Sequence, residues 1–244
     1  MTGPDLSTEG IGPVNGPGAL PGGIGVTHVR VYDTVGPDGL AGGTPHLHTV
    51  CTEAYLVISG SGEVQTLSSQ GFRTTPLRPG TVAWFSPGTV HRLVNHGGLE
   101  LFVAMSNAGL PEAGDLVIAF DPEILVDRNA YEAAASLDPA GQRRDLAVDA
   151  FAGWRAAIEA DALAALERLH GFATAIVAPR SGRWSEVVES SSGAEHRRSA
   201  EWVASVNRGD GGHLAAAAVD HQPPVELNRR LGCCGTLGVV ARSI

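Results

Sequence analysis

Lysine is absent from this chain: all 17 of its basic residues are arginine. That removes Schiff-base chemistry, a lysine-anchored pyridoxal phosphate and a P-loop closing in Gly-Lys-Ser/Thr. Positive charge is also outweighed, since 26 Asp and Glu leave a formal net charge of −9 with no basic run. A nucleic-acid or anionic-membrane surface is therefore not expected. Long apolar runs are missing too, and none approaches the roughly 18 residues of a membrane span. Cysteine is scarce. Cys51, Cys233 and Cys234 supply no disulfide framework and no CxxC spacing for zinc. The opening MTGPDLSTEG has neither a basic start nor an apolar stretch, so no secretory signal is expected and a reducing cytoplasm is the expected compartment.

What is present is ample material for a core, 43% of 244 residues being hydrophobic, enough for one large domain or a domain with an appendage. Residues 1–25 are rich in Gly and Pro and read as a flexible arm. From 26 to 120 the pattern becomes short runs bounded by turn residues: THVRVYD, EAYLVISG, GEVQTL, FRTTPL, VAWFSP, HRLVNH, LELFVAMS and DLVIAF. Gly60-Ser61-Gly62 and Gly97-Gly98 sit between runs and read as hairpin turns. This is the pattern of an antiparallel sandwich or barrel. Residues 121–171 change texture. Asp138-Pro139 reads as a helix N-terminus and Gly171 as the residue past a helix end. Between them Phe151, Trp154, Ile158, Leu163, Leu166 and Leu169 recur at helical spacing, after a shorter helix around 131–136. Residues 172–244 are a mixed extension. FATAIVA, WSEVVE, EWVASV, HLAAAA and TLGVVA could be strands, while SSSGAEHRRSAEW could open a helix.

The chemistry concentrates in two stretches, GGTPHLHTVCTEAYLVISGSGEV and RPGTVAWFSPGTVHRLVNH. His46 and His48 are two apart, so on a strand both imidazoles point to one face. The four residues before Glu53 allow a turn that returns its carboxylate to that face. His91 follows Gly88 on a strand that can come back opposite the first. Three imidazoles and one carboxylate converging inside a barrel make a divalent-metal site of borderline ligands.

These stretches resemble the two motifs of the cupins. His46-Leu47-His48, four residues, Glu53, six residues and Gly60 match the first, apart from an opening glycine displaced to Gly39. Gly80, Gly88, His91 and Asn95 keep the spacing of the second, with Ser86 in the proline position and Pro87 beside it. The resemblance implies a jelly-roll β-barrel, with His46, His48, Glu53 and His91 binding one metal. The expected fold is thus mainly β, a cupin-like barrel followed by a helical segment and the mixed extension.

Four protein ligands on an octahedral ion leave two positions open, which suits Fe(II) or Mn(II) best, with Zn(II), Ni(II) and Cu(II) also open. The expected activity is a non-haem dioxygenase acting on a polar metabolite. The alternatives are Lewis-acid isomerase, epimerase or lyase chemistry on a sugar or sugar acid, or a non-catalytic binding barrel. Strand parity places Tyr55 on the face of Glu53, where its hydroxyl could meet a metal-bound oxygen. Either Trp84 or Phe85 must face inward, and Trp84 is a candidate aromatic wall for a substrate. On the first strand His28, Arg30 and Tyr32 alternate with Val29 and Val31. If the valines face in, the polar set is outside; in the reverse register Arg30 would anchor a substrate carboxylate. His96 is turned away from His91. The partners expected are a small molecule and, through exposed sheets and arms, a second copy in a homodimer.

Overall fold

The structure, a computed structural model, describes residues 20–137, 140–219 and 229–241. The expected N-terminal arm, apart from its last residues, lies outside them, as does the Asp138-Pro139 helix start. Seven strands come first: β1 (Gly25–Val31), β2 (His46–His48), β3 (Glu53–Ser68), β4 (Gly71–Leu77), β5 (Val82–Phe85), β6 (Val90–Met105) and β7 (Leu116–Ile118). Helices α1 (Pro122–Leu125), α2 (Arg128–Ala135), α3 (Ala140–Ala160), α4 (Ala162–Val177), α5 (Trp184–Ser190) and α6 (Ser192–Asn207) follow. The chain then returns to the sheet as β8 (Arg230–Leu231) and β9 (Gly235–Ala241). No helix among the described residues is long and apolar enough to cross a membrane.

Every strand pairing is antiparallel, and the order is β4-β3-β6-β1-β9-β8, with β2 bridging β6 to β7 and β5 on β3. The spine is the long β3–β6 ladder, running from Glu53↔Met105 to Leu67↔Val90. Midway its register shifts between Val57 and Gly62. The glycines read as hairpin turns lie here, so Gly60-Ser61-Gly62 and Gly97-Gly98 are corners inside two bent strands. Gly60 has φ +72°, and a Cβ on it would overlap the Gly98 carbonyl. Glycine marks a bulge as readily as a turn, and here it lets each strand round the barrel without breaking.

Inside the barrel Val29, Val31, Tyr55, Val57, Leu93 and Leu101 make one apolar cluster. The valines of β1 thus face in, and Arg30 points outward to Glu100 at 3.3 Å, beside His28 at 2.9 Å from the same carboxylate. The helices make a second cluster against one side of the barrel, where Phe151, Trp154, Leu166 and Leu169 bury with Leu47, Leu67 and Val117. Trp154 Nε1 donates to the Phe120 carbonyl at 2.8 Å, and the Tyr131 hydroxyl accepts from the Ile118 N–H at 3.1 Å. Arg144, 5% exposed, donates to both Thr34 oxygens and to the Val35 carbonyl.

The helical region departs from expectation in three places. Gly171 lies within α4 rather than past its end, and a side chain there would meet open space; an interior glycine of this kind costs about 1 kcal/mol relative to Ala without stopping a helix. The break falls instead at Asp161, whose carboxylate accepts from the Ala164 N–H and starts α4. Leu163 is 80% exposed and belongs to neither core. FATAIVA, WSEVVE and EWVASV are helical, HLAAAA opens as a 3₁₀ turn, and only TLGVVA is a strand. Runs rich in Ala and Val suit either state, and packing decides between them.

Candidate metal centre

The first two candidate ligands are consequences of strand parity. His46 and His48 flank Leu47 on β2, and His46 pairs directly with His91 across the β2–β6 ladder. The chain then turns through Cys51, whose N–H donates to Asp115 Oδ2 at 2.9 Å, and re-enters the sheet at Glu53. His91 is placed by the turn before β6. There Gly88 adopts φ +83°, donates its N–H to the His48 carbonyl at 2.8 Å and accepts from His170 Nε2 of α4 at 2.9 Å. The helical segment thus holds the turn that carries a site residue, and His170 has a partner that its position in the sequence did not suggest.

The four side chains are each 5% exposed or less, and their donor atoms lie within 4.8 Å of one another. His46 Nε2 and His91 Nε2 are 3.2 Å apart, and Glu53 Oε2 is 3.1 Å from His91 Nε2 and 3.4 Å from His48 Nε2. The far side of each ring is engaged. His46 Nδ1 donates to the Thr44 carbonyl at 2.8 Å, His91 Nδ1 to the Thr89 carbonyl at 3.0 Å, and His48 Nδ1 to Asp115 Oδ1 at 2.8 Å. A carbonyl only accepts, so the Nδ1 atoms of His46 and His91 carry the protons and their Nε2 lone pairs point at each other.

Electrostatics show what such a centre demands. Burial drives His46 down to about 3, helped by the neighbouring His91 and His48. Burial would raise Glu53, but His91, His48 and His46 hold it at about 2, a permanent carboxylate. Burial opposes a charge on His48 as well, yet Asp115 and Glu53 outweigh it and raise its pKa. Glu53 Oε2 is buried and, among the described residues, has no hydrogen-bond partner. Lone pairs and a carboxylate converging at a buried site suit a cation. The residues present fit a divalent metal, which the His46, His48, Glu53 and His91 cluster can hold.

Asp115, fully buried, is the residue that sequence reasoning missed. Burial tends to raise its pKa, but hydrogen bonds from His48 and the Cys51 N–H keep it low. It fixes the His48 ring and increases its basicity, the usual service of a carboxylate behind a metal-binding imidazole. Its one signal was an acidic residue directly before the apolar run LVIAF.

The centre opens on a cavity of about 370 Å³. His46, His48 and Glu53 line it with Val29, Val103 and Leu237. Part of its wall is the returning C-terminal segment. Tyr55 is fully buried as parity requires, edge-on to Phe85 and 6.2 Å from the His91 ring between centroids. Its hydroxyl lies 4.0 Å from Cys234 Sγ. Burial, Cys234 and Glu53 push the phenol well up, so it stays protonated. Phe85 is the inward aromatic, 4.4 Å from the His91 ring, whereas Trp84 is 72% exposed and lines no part of this cavity. Arg30 is likewise outside it. Cys51 is buried, with its thiol on the Ser106 carbonyl, and His96 lies away from the centre toward Glu63.

This architecture defines a class. Residues 32–105 match the family model described as Cupin domain, and the barrel of this chain is a cupin domain; the match takes in under a third of the chain. No curated protein matches the sequence. Among solved structures, the chain is similar to a sugar phosphate isomerase from Silicibacter pomeroyi (25% identity, 34% of this chain and 50% of that one, TM-score 0.26). It is also similar to an uncharacterized conserved protein with a double-stranded β-helix domain from Klebsiella pneumoniae (23% identity, 34% and 62%, TM-score 0.24). An oxalate decarboxylase variant from Bacillus subtilis resembles it at 15% identity (34% and 21%, TM-score 0.29). The chain thus spans less than two thirds of each of these proteins.

Proposed function

We propose that this protein is a metal-dependent small-molecule enzyme, and that its reaction is a dioxygenation of a polar metabolite. The observation that carries the reading is the convergence of three imidazole nitrogens and a carboxylate oxygen at the end of a cavity of about 370 Å³, a size suited to a small metabolite. His46, His48, Glu53 and His91 would hold one Fe(II) or Mn(II) ion. When bound, that ion supplies Lewis acidity and open positions for substrate and dioxygen. The other roles belong to the chain itself. Asp115 keeps His48 oriented, the apolar walls exclude water, and Tyr55, which is fully buried and lines no part of the cavity, packs with Phe85 behind the His91 ring.

Lewis-acid isomerase, epimerase or lyase chemistry is the second reading, supported by the same donors and by the same cavity. A purely ligand-holding barrel is the third. The Fe(II)-loaded protein, placed in an oxygen-electrode cell with a panel of hydroxy- and keto-acids, should consume oxygen with at least one of them. His48→Ala should abolish that uptake. Turnover that persists under strict anaerobiosis would favour the second reading, and binding without conversion the third.

We further propose that two chains pair through the outer sheet. Leu56, Val82, Trp84 and Phe102 are exposed there at cross-strand neighbouring positions, a continuous apolar surface of the kind that marks an interface. Trp84→Glu should convert a dimer to a monomer in sedimentation; an unchanged dimer would place the contact elsewhere.

A further inference from the structure

We propose that Arg143 is the anion-recognition group of the cavity, and that the molecule bound there is a small carboxylate. This identifies the substrate class of the site and rests on the reading above only in placing the other end of that molecule at the metal. Arg143 lies on α3, outside the stretch that matches the cupin family, yet it lines the same cavity as His46, His48 and Glu53.

Its guanidinium is unusually free. Among the described residues its single hydrogen bond runs from Nη1 to the Ala135 carbonyl at 3.2 Å, and it takes part in no ion pair. Nε is buried and has no hydrogen-bond partner among the described residues. The neighbouring Arg144 shows what a structural arginine looks like here, with its guanidinium spread over Thr34, Val35 and Asp145. Arg230, the other cation of the cavity wall, is half-exposed and already faces Glu112 at 3.8 Å. A cation in a cavity wall that has a single protein acceptor is favoured where a ligand supplies another.

With Nη1 engaged and Nε buried, Nη2 is the guanidinium nitrogen left without a hydrogen bond among the described residues, and the planar, charged fork of a guanidinium suits a carboxylate better than a neutral group. The charge is felt within the wall, where burial pushes the Cys233 thiol up to about 11 while Arg143 pulls it the other way. Glu112 in the same lining disfavours a doubly charged anion more than a singly charged one.

Calorimetric titration of the metal-loaded and metal-stripped protein with lactate, its neutral analogue lactamide, and inorganic phosphate tests the assignment. The wild type should prefer lactate to lactamide by tenfold or more in both forms. In Arg143→Gln the lactate affinity should fall about tenfold to a hundredfold, while lactamide binding and metal content stay as in the wild type. Arg143→Lys, which retains the charge without the fork, should recover part of the loss and guards against a folding defect in the first variant. Equal affinity for lactate and lactamide in the wild type, no binding of either, or undiminished lactate binding in Arg143→Gln would overturn the assignment. Phosphate bound more tightly than lactate would overturn the carboxylate class. Metal content is read separately. A protein that takes up no metal yet discriminates lactate through Arg143 would sink the enzyme reading and leave this one standing.

Discussion

His46 and His91 face each other across the β2–β6 ladder with their Nε2 atoms 3.2 Å apart, while both Nδ1 atoms are turned to backbone carbonyls. Two imidazoles locked in that tautomer present lone pair to lone pair, an arrangement that a shared cation relieves. With Glu53 and His48 beside them, the relationship makes the centre intelligible as a metal site before any reaction is considered.

Asp115 acts through His48. Asp115→Asn keeps the shape and can still accept through its amide oxygen, but it withdraws the negative charge that makes the ring a strong ligand. Metal affinity should fall by about tenfold to a hundredfold, whereas His48→Ala should lose binding outright. Competition with a coloured chelator measures both, and an Asp115→Asn affinity equal to that of the wild type would remove Asp115 from the account.

The strand corner offers a test of the fold. Gly60→Ala imposes both an unfavourable positive φ and an overlap with the Gly98 carbonyl, so a loss on the order of 2–4 kcal/mol is expected. Gly71 also has positive φ (+81°), but nothing lies within 4 Å of a Cβ added there. Gly71→Ala should cost only about 1 kcal/mol. Urea denaturation of the two variants reads the difference directly.

Acid should weaken the metal-stripped protein. His46 is held at about 3 in the fold against an ordinary 6.5, so below about 6.5 the unfolded chain binds a proton that the folded chain refuses. Stability is therefore fully present above that value and lost as pH falls toward 3. Glu53, at about 2 instead of 4.5, adds a second loss below 4.5. His48, raised, contributes in the opposite sense and offsets part of the first. The urea midpoint should be lower at pH 5 than at pH 7.5, and His46→Gln should narrow that gap.

The His/Glu cluster was legible in the sequence because the side-chain period of a strand is two: His46 and His48 had to share a face, and the motif spacing brought Glu53 and His91 to them. The barrel was legible from its short alternating runs. Gly60 and Gly98 were misread because a bulge and a turn draw on the same residue. The helices over FATAIVA, WSEVVE and EWVASV were ambiguous because Ala- and Val-rich runs suit either state. Asp115 and Arg143 were invisible for a different reason. Asp115 lies 67 residues along the chain from His48, no local periodicity marks either residue, and only the packed fold brings them to the site. Trp84 and Phe85 could not be separated without the register of β5, which turns Phe85 inward.

The most direct test of the central claim is elemental analysis of the purified chain, prepared without added metal or a metal-binding tag, beside His48→Ala and Glu53→Ala. The wild-type chain should carry about one divalent transition metal, Fe or Mn, and neither variant should carry any. A wild-type protein that carries no metal and takes up none on reconstitution would contradict it.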